Sequence, residues 1–274
     1  MRLYMSIDIE GIVGVVSREH TMVEGFEYQQ ARIWMTDTAA AAAKAAFDAG
    51  AEAVVMSDSH GNMQNLMIDR LPPKVELVRS RPRPLGMLQG LEHGKFDGAL
   101  FLGWHTGATH RSGILGHTMR SVVLRELRLD GVSVSEAGFY APLAGQFGVP
   151  VIAISGDDEF VAETKAFLPD VETATVKWSH GHLSARTLMP EPAHALVAAA
   201  TKRAIARLGS FRPTRIAGKP VLEVAFKHRL PAEFWSYTKW VERLDAYTIR
   251  YVADDMVDAS KFMNFLLGYA STVT

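Results

Sequence analysis

MRLYMSIDIEG (Met1–Gly11) opens the chain with an apolar run from Leu3 to Ile9, whose first carboxylates come only at Asp8 and Glu10. A run of this length and polarity suits a short buried strand. Outward from it, Phe26 to Ala49 has the length and alanine density of a long helix, and Gly50 is the residue type that ends helices in the left-handed conformation. A strand followed by a crossover helix is the unit from which parallel sheets are built. The strand signal returns at Ala53–Met56, broken by Ser57-Asp58-Ser59-His60-Gly61, and at Gly98–Gly103, which runs into Trp104-His105. The pattern predicts an α/β fold: a mixed, largely parallel sheet flanked by helices in three layers.

Further along, Val122–Leu129 and Val132–Ser135 flank Asp130-Gly131, which supplies the positive φ angles of a two-residue hairpin turn. The hairpin is expected to add antiparallel strands to the same sheet. Val149–Ser155 is the next buried strand, and Asp157-Asp158 after it read as caps of a helix. Beyond that helix the β/α alternation weakens. From Pro190 the texture changes to a helix (His194 to Leu208), a connector at Arg212-Pro213-Thr214, strands at Val221–Phe226 and Tyr247–Val252, and a helix over Asp258–Tyr269. The expected division is an α/β domain over 1–188 and a smaller α+β domain over 189–274.

With 274 residues, 48% of them hydrophobic and 22% charged, the chain can bury a sizeable core. Lys+Arg 29 against Asp+Glu 30 leaves a net charge of −1, so no overall field attracts nucleic acid or an anionic membrane. The cysteine count of zero excludes disulfide frameworks, thiolate metal sites and cysteine nucleophiles together, which leaves metal binding to His and carboxylates. No apolar run reaches the roughly 18 residues of a membrane span, and the first residues lack the core of a secretion signal, so a cytoplasmic protein is expected. Neither a phosphate-cradling G-x-x-x-x-G-K-[ST] nor a G-x-G-x-x-G after the first strand is present, which argues against a nucleotide cofactor.

In α/β sheets, ligands bind beyond the carboxyl ends of the strands, and polar residues collect there in this chain. Asp8 and Glu10 are two apart at such an end, so strand alternation points both to one side. Read alone, they suit a solvated strand end as well as a metal. His60 and His105 end the next strands, and Glu136 follows the hairpin into a small-residue segment. Asp, Glu, His, His and Glu are more ligands than one tetrahedral zinc requires, yet they suit two metals sharing a carboxylate about 3.5–4 Å apart. The chemistry natural to such a pair is hydrolysis. His117, in the glycine-flanked Gly113-Ile114-Leu115-Gly116-His117-Thr118, is open to the roles of base, acid, nucleophile or surface imidazole.

Six blocks in order carry a resemblance: SIDIEGI (Ser6–Ile12), SDSHGNMQNL (Ser57–Leu66), ALFLGWHTGA (Ala99–Ala108), GHTM (Gly116–Met119), SEAGFYA (Ser135–Ala141) and ISGDD (Ile154–Asp158). Over residues 1–190, and more loosely over the rest, the chain resembles the DppA-like D-aminopeptidases, metallopeptidases linked to dipeptide transport. The resemblance implies an aminopeptidase acting on short peptides that contain D-amino acids. It implies two zinc ions per subunit held by Asp8, Glu10, His60, His105 and Glu136, with Asp8 bridging, and His117 as catalytic nucleophile or base. It further implies a ring-like homo-oligomer, a decamer with inward-facing sites, and a C-terminal unit that serves assembly and access.

Two readings compete. A dimetal phosphoesterase is suggested by Asp8, Asp157-Asp158, Ser59-His60-Gly61-Asn62 and Ser179-His180-Gly181-His182, but that pattern wants His where Glu10 stands, and its Gly-Asp-x-x-Asp before its Asn-His block. A non-catalytic peptide-binding protein that keeps a structural metal is the other. Structural zinc sites are closed by four ligands, whereas five ligands shared by two ions leave a position open. Of the remaining features, His180 and His182 read as loop or subunit-contact residues, Arg79–Arg83 as a solvated loop, and Phe234, Trp235, Tyr237 and Trp240 as buried contacts or a subunit interface.

Overall fold

Leu3, Met5 and Ile7 alternate with Tyr4 and Ser6 along strand β1 (Arg2–Ile7), and both sets are buried, as a central parallel strand covered on two faces requires. The computed structural model describes residues 1–269. After β1 come a single helical turn α1 (Arg18–Thr21), the long helix α2 (Tyr28–Asp48), and strands β2 (Ala53–Asp58), β3 (Val75–Val78) and β4 (Gly98–Leu102). Strands β5 (Leu124–Leu129) and β6 (Val132–Ser133) lead to α3 (Glu136–Gln146), β7 (Val151–Asp157), α4 (Asp158–Lys165), β8 (Glu172–Gly181), β9 (Ser184–Thr187) and α5 (Pro190–Ala206). The described chain closes with β10 (Val221–Phe226), α6 (Arg229–Trp235), β11 (Glu242–Arg243), β12 (Thr248–Val252) and α7 (Met256–Tyr269).

The main sheet has the order β3-β2-β1-β4-β7-β8-β9, parallel throughout except where β9 runs against β8. One face is covered by α2 and α5. Ala39, Ala42, Ala43 and Ala46 recur on one side of α2, and they share a core with Val197, Ala200 and Ala204 of α5 and with Leu3, Met5 and Ile7. The opposite face packs Tyr4, Phe101 and Trp104 against Phe139 and Tyr140 of α3, and that core continues into the second sheet through Leu127, Leu222 and Val224. The second sheet is antiparallel, in the order β11-β12-β10-β5-β6. The architecture is the expected mixed, largely parallel sheet flanked by helices, with a smaller antiparallel unit.

Three expectations need correction. Asp130 (φ 52°) and Gly131 (φ 79°) do make the hairpin turn, but the hairpin pairs with β10 in the second sheet and not with the main one. In β5 the buried Leu124, Leu127 and Leu129 are interspersed with Arg125, Glu126 and Arg128, a one-faced pattern that a strand covered on both sides cannot carry. The α/β alternation, expected to weaken after α4, continues: β8 extends the main sheet parallel to β7, its signal masked by the polar residues of ETATVKWSHG. The helix expected from His194 starts at Pro190, where proline's fixed φ suits a first turn. It packs on α2 and β8, so a helix after position 188 helps cover the main sheet, while β5 and β6 from before it complete the second sheet.

β1 lies between β2 and β4, so strand order reverses there and a crevice opens beyond the carboxyl ends of the three strands. Asp8, His60 and His105 lie just past those ends.

Candidate metal centre

Because β1 ends at Ile7, strand alternation does not align Asp8 with Glu10; a turn closed by the Ile12 N–H donating to the Ile9 carbonyl (3.1 Å) does. That turn lies directly against the segment after β4. The Gly11 N–H donates to the Gly103 carbonyl at 2.7 Å, and a Cβ on Gly11 would sit 2.0 Å from the Trp104 carbonyl oxygen. One on Gly103, whose φ is +71°, would sit 2.3 Å from that of Asp8. Glycine at both positions is therefore what lets the D-x-E segment approach the one bearing His105.

Asp8 faces two histidines at once. Its Oδ1 is 3.4 Å from His60 Nδ1, and its Oδ2 is 3.4 Å from His105 Nε2. Glu10 Oε2 is 3.0 Å from His60 Nδ1, and Glu136 Oε1 is 3.5 Å from His105 Nε2. Two groups of possible ligands result, Asp8-Glu10-His60 and Asp8-His105-Glu136, each with its donor atoms within 4.8 Å of one another. A third such group joins Glu10, His105 and His117. Glu136 reaches the cluster as the first residue of α3, whose cap Ser135 accepts from the Gly138 N–H.

The ring nitrogens turned away from the cluster are held by backbone. His60 Nε2 lies 2.8 Å from the Thr21 carbonyl and His105 Nδ1 lies 2.9 Å from that of Thr106. Because a carbonyl only accepts, each ring donates there, and its other nitrogen is oriented into the cluster as a metal-ligating histidine requires. Three carboxylates and two imidazoles so arranged, all but half-buried His60 fully buried, fit divalent cations by donor chemistry and by need of positive charge.

Protons otherwise answer that need. Burial and then the Glu10 charge push the Asp8 carboxyl up to about 8. Burial would raise Glu10 as well, but the charge and hydrogen bond of His60 hold it well below the usual carboxylate range. His60, opposed by burial but attracted by Glu10 and Asp8, is held well above the ordinary imidazole value. Burial is likewise outweighed at His105, which Glu136, Glu10 and Asp8 raise to about 9. His117 goes the other way: burial and then the His105 charge lower it, which favours a neutral ring.

That ring stacks on His105 at 4.1 Å between centroids, with Nε2 3.9 Å from Glu136 Oε1 and Nδ1 2.9 Å from the Leu115 carbonyl. Its loop is strained: Leu115 (φ 53°) and Met119 (φ 57°) flank it in the left-handed region. Hydrogen bonds hold the conformation, from the Ile114 N–H to Asp157 Oδ2, the Leu115 N–H to the His182 carbonyl, the His117 N–H to the Thr106 carbonyl and the Met119 N–H to Glu136 Oε1.

Several supporting residues are absent from the sequence reading. Lys177, fully buried on β8, donates to the carbonyls of Glu10 and Val15; burial lowers its ammonium to about 8 against the pull of Asp157 and Glu10. Its signal is a lysine inside the apolar alternation of β8, visible only once that strand is recognised. Asp58 accepts from the Asn65 and Leu66 N–H groups and from the Asn65 side chain, which also donates to the His60 carbonyl. Arg83 corrects the expectation of a solvated Arg79–Arg83 loop: its buried guanidinium donates to Ser57 Oγ and to the Val78, Asp58 and Ser80 carbonyls, whose need of donors offsets its burial. Asp157 caps α4, accepting from the Phe160 N–H at 2.7 Å, as its sequence position suggests. His180 and His182 are exposed at the β8–β9 turn and do not join the cluster. Of the residues that imitate a phosphoesterase, Asp8 and His60 join the cluster, whereas Asp157, Asp158, His180 and His182 stay outside it.

Glu10, His60, His117 and Glu136 line a cavity of about 1620 Å³. Asp8 and His105 lie behind them.

Comparison with known proteins gives one consistent picture. Residues 1–265 match a family described as D-aminopeptidase. The D-aminopeptidase of Bacillus subtilis (strain 168) is 33% identical over 266 residues, 96% of this chain and 95% of the relative. The solved structure of DppA from Bacillus subtilis, described as a Zn-dependent D-aminopeptidase and a self-compartmentalizing protease, superposes with a TM-score of 0.94 at 31% identity, covering 100% of this chain and 99% of that one.

Proposed function

The chain belongs to the D-aminopeptidase family and is a metal-dependent aminopeptidase, and we propose that it removes the N-terminal residue of short peptides, D-amino-acid-containing ones in particular, at a centre of two zinc ions. In this reading Asp8, Glu10 and His60 hold one ion, Asp8, His105 and Glu136 hold the other, and Asp8 bridges. The observation that carries it is the carboxylate of Asp8, with one oxygen 3.4 Å from each of the two histidines.

Two bound cations would supply Lewis acidity toward the scissile carbonyl and make water at the centre more acidic. The chain's own residues do the rest. His117 lies at the cavity wall with Nδ1 committed to the Leu115 carbonyl, so Nε2 is the nitrogen free to take a proton or to attack a carbonyl. Its lowered pKa keeps that nitrogen unprotonated near neutrality. The strained loop and the stacking on His105 fix the ring's direction before substrate arrives.

The same reading includes assembly into a homo-oligomer, as the description of the Bacillus subtilis structure suggests, with ten subunits in a ring. Phe234, Tyr237, Trp240 and Phe265, large and exposed around α6 and α7, offer it an apolar surface, while Trp235 beside them is buried. No described helix is long and apolar enough to cross a membrane, and a cytoplasmic setting belongs to the same proposal.

The test is hydrolysis of a panel of di- and tripeptides with N-terminal D- or L-alanine by purified protein, before chelation, after it, and after zinc is restored. Cleavage that vanishes and returns with zinc, faster on the D series, is the expected result. A p-nitrophenyl phosphatase activity comparable to the peptidase activity would instead favour the phosphoesterase reading.

A further inference from the structure

Besides Arg83, whose guanidinium is committed to Ser57 Oγ and three backbone carbonyls, six cationic residues line the cavity over the cluster: Arg18, Arg81, Arg120, Arg125, Lys227 and Lys261. Apart from Glu10 and Glu136, the one carboxylate among its described lining residues is Glu24. Such an excess is not a reflection of composition, since the whole chain carries a net charge of −1. Nor are these charges spent on one another's neighbours: among the described residues the ion pairs of Arg and Lys side chains are made by Arg2, Arg70, Arg128, Lys202, Arg203, Arg207, Lys219, Arg243 and Arg250, none of which lines the cavity. Unpaired like charges in a concave wall focus their field on its interior.

Arg120 and Arg81 stand out. Arg120 follows Met119, whose N–H bonds Glu136 Oε1, so its backbone is one residue from the cluster, and its guanidinium is tethered to the Leu267 carbonyl of α7. Arg81 lines the same cavity, and the Arg120 pKa is lowered first by burial and then by the charge of Arg81. A planar guanidinium matches a carboxylate in two-pronged geometry.

Resting on the aminopeptidase reading, we infer that Arg81 and Arg120, within this basic wall, bind the C-terminal carboxylate of the peptide whose N-terminal bond lies over the centre. The terminal carboxylate is the one anion that every unmodified peptide carries, whatever its side chains. In a di- or tripeptide it sits only about 3.3–3.6 Å per residue from the scissile bond, so the wall also selects for short chains.

Zinc-loaded enzyme should be compared on a D-alanyl tripeptide, its C-terminal amide, and an amidated peptide with a Glu side chain. Loss of a charged hydrogen-bonded pair predicts that amidation lowers kcat/KM roughly ten- to a hundredfold, chiefly through KM. In Arg81→Gln and Arg120→Gln the acid-to-amide ratio falls toward one, and Arg120→Lys restores part of it. Arg81, whose side chain makes no hydrogen bond or ion pair among the described residues, serves where loss of the Leu267 tether unfolds the Arg120 variant. Calorimetric binding of the acid and amide to His117→Ala protein gives the same preference without turnover. Equal handling of acid and amide by the wild type, or a ratio unchanged in both glutamine variants, overturns the inference. So does full recovery with the Glu-containing amide, which marks a general anion field. If neither peptide is cleaved while calorimetry still prefers the acid, the aminopeptidase reading fails and the carboxylate site stands.

Discussion

Asp8 presents one oxygen to His60 and the other to His105, and each histidine is locked in place by a backbone carbonyl behind it. That arrangement separates the work of holding metal from the work of His117, whose ring stacks on His105 but donates elsewhere. His117→Ala is therefore expected to keep its zinc and to lose about 10²- to 10⁴-fold in kcat, measured by steady-state kinetics beside metal analysis. A peptide-binding protein with a structural metal would lose nothing measurable. The pKa directions give a second expectation. With no cation present, His60 is held well above its ordinary value, His105 is near 9 and Asp8 near 8, so all three carry protons at pH 7. Ligands bind metal deprotonated, so zinc binding at pH 7 should release protons, and zinc affinity should rise with pH until these groups have titrated. Calorimetry in buffers of different ionisation enthalpy reads the sign; proton uptake would contradict it.

At the scale of elements, β1, α2, β2, β4 and the strand-end residues beyond them were legible because their signals are local: apolar runs, an alanine-rich face and polar punctuation. Asp8, Glu10, His60, His105 and Glu136 could be singled out because parallel strands deliver their carboxyl ends to one rim. The means of convergence was not legible. The Asp8–Glu10 turn depends on contact between Gly11 and a segment more than ninety residues away, and the β5–β6 hairpin joined the sheet that suited its one-faced polarity, a choice that sequence proximity does not reveal. Lys177 was hidden for the same reason, inside a strand whose polar residues mask it. Lys177→Met leaves the Glu10 and Val15 carbonyls without their buried donor, so it should lower stability by about 1–3 kcal/mol and weaken zinc binding, read by denaturant unfolding and metal titration. Gly11→Ala should lower metal content more severely, because its Cβ meets backbone and not a flexible side chain.

For the whole molecule, the main sheet carries the cluster while α3, α7 and the second sheet cover its other face, and residues from both ends of the chain line the cavity. Helix α7, which carries part of the exposed aromatic surface, thus also lines the cavity over the centre. Light scattering is expected to show a homo-oligomer, and Trp240→Glu, which places a charge on that surface, to shift it toward smaller species without loss of fold. The central claim, two metals sharing Asp8, is tested most directly by zinc content per chain in the wild type and in Asp8→Asn, Glu10→Gln and Glu136→Gln. The predicted result is near two equivalents in the wild type, loss of both in Asp8→Asn, and preferential loss of one in each glutamate variant. A single equivalent in the wild type, or an Asp8→Asn protein that keeps both, would contradict it.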